Sequence, residues 1–106
     1  MSLTDLLLHG RAGAGRLPAS LSELHGPEQG VIVLPRHLAR PGLREFDVTD
    51  DRLRRSLYGI VLTHGRRNDL ARFVNPRLLQ QDWPLLRTFL EPKVRRGCER
   101  RLKLGA

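Results

Sequence analysis

The chain has 106 residues, 40% hydrophobic and 28% charged, proportions that suit one modest core and an ordinary globular fold. No apolar run approaches the roughly eighteen residues of a membrane span, and a single cysteine, Cys98, excludes an internal disulfide and a cysteine-rich metal site. The net charge of +8 is unevenly divided: residues 1–50 hold five Arg against six acids, a balance of −1, and residues 51–106 hold fourteen Lys and Arg against five acids, a balance of +9.

A half this basic attracts polyanions, because neutralising phosphates drives most non-specific nucleic-acid binding. Coding bias competes as an explanation. Seventeen of the nineteen basic residues are Arg in a chain rich in Ala, Gly, Leu and Pro, as a high-GC genome produces without functional demand.

In chain order, Leu3, Leu6, Leu7 and Leu8 predict a short helix capped by Ser2 or Thr4 and stopped by Gly10. The stretch lacks the basic start and the apolar length of a secretory signal, which points to the cytoplasm. GRAGAGR, residues 10–16, superficially resembles a phosphate-cradling loop. However, it follows a helix rather than a strand, Pro18 stands where a third glycine would fall, and no G-K-[ST] is present. A flexible linker is the expectation. Leu17, Leu21 and Leu24 outline a second short helix with Pro18 in its first turn, ended by His25-Gly26-Pro27. Residues 1–29 are expected to be partly flexible.

Val31 to Leu34 is a β-branched run bounded by Gly30 and Pro35, the strongest strand signal. Arg44 to Val48 alternates, with Phe46 and Val48 on one side and Glu45 and Asp47 opposite. Pro41-Gly42 marks a turn between the two, so a stiff two-stranded ribbon with a basic tip at Arg36, His37 and Arg40 is predicted. It needs helices to pack on, since an isolated hairpin is marginal in water.

The best-marked element follows. Leu53, Leu57, Ile60, Val61 and His64 share one face of a helix that Thr49 or Asp50 can cap and Gly65 can end in a left-handed conformation. Arg52, Arg54 and Arg55 lie off that face and are expected to point to solvent. A new helix is predicted from Asn68 or Asp69, with Leu70, Phe73 and Val74 apolar. Asn75-Pro76 is a clean start for the next one. Leu79, Trp83, Leu86 and Leu90 keep helical spacing, but Pro84 predicts a break, with Asp82 capping a restart. A last helix runs from Pro92 to Leu102, with Val94, Cys98 and Leu102 on one side and Gly97 weakening its middle.

The predicted fold is therefore α+β and mainly helical. A small two-stranded ribbon near residues 30–48 packs on a C-terminal array of three to four short helices, within one domain spanning 1–106 whose basic helical half covers 49–104. The expected core joins Leu53, Leu57, Ile60, Val61, Leu70, Phe73, Leu79, Trp83 and Leu86, mostly buried together, to the strand Val31 to Leu34.

Catalytic signals are thin. His9, His25, His37 and His64 are scattered without H-E-x-x-H. Ser20 and Ser22 have no G-x-S-x-G context. Asp50 and Asp51 read as helix-start charges, Cys98 as a packed thiol and Trp83 as a core anchor. No catalytic residue, metal or cofactor is expected. A helix-turn-helix centred on Gly65 matches in part: Ile60, Val61, Ala71 and Val74 fall acceptably, but His64 and Arg66 flank the turn where apolar residues are usual. If the second helix meets DNA, Arg66, Arg67, Asn68 and Arg72 are its contacts, since Arg and Asn offer paired donors to base edges. Arg52 and Arg55 would extend that face, and Arg95, Arg96 and Arg100 would lie beside it. The expected function is a small basic nucleic-acid-binding protein, such as a bacterial transcriptional regulator on duplex DNA. The competing expectation is a non-enzymatic interaction module or antitoxin-like subunit that meets an acidic protein partner. Neither requires a membrane, and both allow oligomers.

Overall fold

The computed structural model of the chain describes residues 16–39 and 41–105. The leucine helix expected near residues 3–8, most of the glycine-rich segment and Arg40 lie outside the described residues.

The architecture is mainly helical α+β, as the spacing predicts. Strands β1 (Val31–Val33) and β2 (Glu45–Asp47) precede helices α1 (Asp51–His64), α2 (Arg67–Phe73), α3 (Pro76–Leu86) and α4 (Pro92–Arg101). Short 3-10 turns sit at Leu21–Glu23 and Arg87–Phe89. The strands pair antiparallel with Ile32 opposite Phe46, so both side chains face the helices, and Val48 follows them inward. Alternation turns Val31, Val33 and Glu45 outward. Gly42 adopts φ +92°, the left-handed conformation that the Pro41-Gly42 turn requires. The connection between the strands does not project as a free basic tip. Leu38 is buried within it, and His37 binds Asp69 of α2 at 2.9 Å, leaving Arg36 exposed.

Asp50 caps α1 by accepting the amides of Arg52 and Leu53. The helix's buried face is Arg54, Leu57, Tyr58, Val61 and Leu62. It is rotated from the expected face, leaving Leu53 and Ile60 half-buried at its edge and His64 exposed. The other expected core positions, Leu57, Val61, Leu70, Phe73, Leu79, Trp83 and Leu86, are buried together with Ile32 and Leu34. Tyr58 fills the centre of this face, its hydroxyl accepting the Asn75 amide, and burial pushes its phenol above the ordinary range.

Gly65 ends α1, but its φ of −73° is not left-handed. Its glycine is required for space: a Cβ there would stand 2.5 Å from the Val61 carbonyl oxygen. α2 starts two residues further on, at Arg67 rather than at Asn68 or Asp69. The Asp69 carboxylate, three positions into the helix, reaches back to accept the Arg66 amide. Burial alone would raise the Asp69 carboxyl, but hydrogen bonds from the Arg66 amide and His37 outweigh it and hold the group below the usual carboxylate range.

Asn75 caps α3 as its sequence predicts, taking the amides of Arg77 and Leu78. The break expected at Pro84 does not occur, since α3 runs through it to Leu86. Gln80 and Pro84, one turn apart, are both exposed, so the carbonyl that the proline leaves unpaired lies on the solvent side. Asp82 does not cap a restart but is buried. α4 carries Cys98 and is followed by Leu102, both buried as expected, and burial pushes the Cys98 thiol up to about 11. Gly97 has a packing reason, because a Cβ there would stand 3.2 Å from Leu17.

Candidate nucleic-acid interface

The basic residues of the helical half divide into those that build the fold and those that do not. Arg54, expected in solvent, belongs to the first group. Its phase with Leu57, Tyr58 and Val61 carries it inward, and it is 3% exposed. The guanidinium meets Asp82 of α3 through two bonds of 2.7 and 2.8 Å. It also donates to the Val48 carbonyl at the end of the ribbon and to Asp51. The paired carboxylate raises the guanidinium pKa further, so Arg54 stays charged at every accessible pH. One side chain therefore ties α1, α3 and the ribbon together, and it is out of reach of any ligand.

Other arginines are partly engaged. Arg67 forms a forked pair with Glu23 at 2.8 to 3.0 Å, which fixes the end of the first 3-10 turn to the start of α2. Arg77 pairs with Glu28, and Arg87 shares Glu99 with the Trp83 indole. Arg55 is half-buried and leans 3.9 Å from Asp82. The Arg67 and Arg77 pairs are the more solvent-exposed of these and hold geometry more than stability.

The remaining candidates are Arg52, Arg66, Asn68, Arg72, Arg95, Arg96 and Arg100. All are exposed except the half-buried Arg95. The ion pairs among the described residues engage none of these arginines. Arg72 stands 5.0 Å from the Phe73 ring centroid. The segment Arg16 to Pro18 joins two of the basic regions. Arg16 donates to the Gly65 carbonyl at the α1–α2 turn, while Arg101 of α4 donates to the Leu17 and Pro18 carbonyls. The turn that carries Arg66 and the helix that carries Arg95, Arg96 and Arg100 thus flank one segment. Arg52 and Arg55 lie elsewhere, on the outer side of α1.

That outer side forms one wall of a groove of about 500 Å³. Arg52 and Arg55 stand at one end and His64 at the other. Ser56, Gly59, Ile60 and Thr63 of the same helix line it as well, and Phe89 and Leu90 complete the lining from the segment after α3. Phe89 is 74% exposed, more than any other large hydrophobic side chain among the described residues. No expectation from the sequence names it as a site, although its exposure is legible there, since Phe89 is out of phase with Leu79, Trp83, Leu86 and Leu90 and so does not share their buried face. Trp83, by contrast, is 2% exposed and cannot stack on a ligand.

Among the described residues, no group of three His, Cys, Asp or Glu side chains is placed to hold a metal ion. None of their helices is long and apolar enough to cross a membrane. Comparison with protein-family models, with curated proteins and with solved structures finds no match for this chain.

Proposed function

We propose that this chain is a small, non-enzymatic nucleic-acid-binding protein that grips the phosphate backbone with the exposed arginines of its helical half, as a bacterial DNA-binding regulator would in the cytoplasm. The observation that carries the reading is the division among its arginines. Arg54, Arg67, Arg77 and Arg87 are used by the fold, whereas Arg52, Arg66, Arg72, Arg96 and Arg100 are exposed and outside every ion pair among the described residues. Coding bias accounts for Arg in place of Lys, but it does not account for a surplus of uncompensated cations in one half of the chain. Arg also suits the ligand, because its planar fork matches two phosphate oxygens at once. With Arg67 held by Glu23, base-edge reading falls to Arg66, Asn68 and Arg72, and backbone contact is the larger share.

The reading is tested by fluorescence anisotropy on random-sequence duplex DNA. Replacing Arg66 and Arg72 together by Ala should weaken binding to all duplexes alike and flatten the salt slope by about two units. A loss confined to one sequence would place these residues on base edges instead. Absence of binding at low salt would refute the reading.

A second reading, a module for an acidic protein partner, is favoured by Val31 and Val33, which are 60% and 53% exposed on the outer face of the ribbon. A protein partner buries such apolar surface, whereas a phosphate backbone does not.

A further inference from the structure

From the groove along α1 we infer that this protein carries a subsite for an unpaired nucleobase, stacked on Phe89 with its flanking phosphates on Arg52 and Arg55. The inference rests on the nucleic-acid reading above and adds the strandedness of the ligand.

Several independent features converge there. Phe89 is largely exposed among the described residues and lines the groove together with two arginines of α1. An exposed aromatic beside cations is the recurrent platform for single strands, because every base has a face to stack while the charges track the backbone. A base inside a duplex cannot offer that face, since its neighbours cover it. Ile60, which lines the same groove, adds apolar surface for a base to rest against. The groove volume of about 500 Å³ lies within the range of small-ligand sites and admits a base with part of its sugar. Ser56 and Thr63 add hydroxyls that can donate to or accept from base edges of any identity.

Gly59 points the same way. A glycine in mid-helix weakens the helix, so it needs a compensating reason. At Gly65 and Gly97 the reason is a neighbour within reach of a Cβ; at Gly59 no described residue beyond the helix's own backbone lies within 4 Å of one. The space is therefore not filled by the described fold, and it opens directly into the groove. A flat ligand lying against α1 makes use of it.

The test compares a blunt random duplex, the same duplex with a single-stranded tail, and the tail strand alone, using the full chain. The tailed duplex should bind more tightly than the blunt one by about 5- to 150-fold, the size of one base–aromatic stack. Phe89→Ala should abolish that gain, and so should Gly59→Leu, which fills the groove without altering charge. Blunt-duplex affinity should change by less than about twofold in either variant, as for an ordinary surface substitution. Equal affinity for tailed and blunt duplexes, with salt-sensitive duplex binding intact, would overturn the inference and leave the backbone reading standing. A tail preference that survives both substitutions would place the unpaired base elsewhere and also overturn it. Self-association that Phe89→Ala removes would show a second copy of the chain in the groove, with the same consequence. Failure to bind any of the three probes at low salt would refute both readings.

Discussion

Replacing Arg54 by Met should unfold this protein at markedly lower denaturant. Both partners of the Arg54–Asp82 pair are 3% exposed at their side chains, so solvent screens little of their interaction. The substitution keeps much of the apolar stem but removes the guanidinium, leaving the buried Asp82 carboxylate without its hydrogen-bonded cation, with only Arg55 at 3.9 Å, and the Val48 carbonyl without its donor. Breaking one side of a buried pair costs about 3–5 kcal/mol. The lost contact to Asp51 adds little, because that carboxylate is 62% exposed. Urea unfolding followed by circular dichroism measures the loss, and thermal unfolding should show a fall of more than about 10 °C for a domain of this size. The double variant Arg54→Met/Asp82→Leu should recover a substantial part, since an apolar pair of similar volume removes both desolvated charges. A loss for Arg54→Met below about 0.5 kcal/mol, the size of a surface substitution, would refute the reasoning. So would a double variant whose cost equals the sum of the two single ones, because residues in direct contact should couple.

Leu57→Ala, at a side chain with 0% exposure, should cost about 2–5 kcal/mol in the same assay, and a negligible cost would show that α1 buries another face. Gly65→Ala should destabilise by clash with the Val61 carbonyl, whereas Gly59→Ala should be neutral or stabilising by up to about 1 kcal/mol; the reverse order would contradict the packing at both. Asp69 has a folded-state pKa below its unfolded value, so its stabilising contribution is complete above about pH 4 and is lost as pH falls through the lower folded value. The stability gap between the parent chain and Asp69→Asn should therefore narrow on acidification, and a gap that does not change with pH would refute this.

Most of the architecture is legible in the sequence because its signals are local. The Asn75-Pro76 start and the β-branched run at Val31 need no tertiary information, and neither does the cap at Asp50. What was misread depends on pairing across the fold. Arg54 and Asp82 each sit in phase with apolar neighbours, Arg54 with Leu57 and Val61, Asp82 with Leu79 and Leu86. A charge on an apolar stripe reads as solvent-facing until its counterpart on another helix is recognised, and no spacing rule joins residues so far apart. Pro84 was misread for a related reason. A proline costs a helix less where the carbonyl it orphans can turn to water, and that exposure follows from how α3 packs. Gly65 shows the limit of conformational rules, since its glycine serves close approach rather than a left-handed turn. In the candidate interface, exposed positions on α2 and α4 are legible from periodicity. The engagement of Arg67 by Glu23 is not, and neither is the groove beside Phe89, because both need segments distant in sequence.

The central claim is that uncompensated arginines make this chain a ligand for nucleic-acid phosphate, and the salt dependence of duplex binding tests it most directly. If four to six of Arg52, Arg66, Arg72, Arg95, Arg96 and Arg100 contact phosphates, log K should fall linearly with log salt concentration with a slope between about −3.5 and −5.5. A slope near zero, or no binding to duplex at low salt, would contradict the claim.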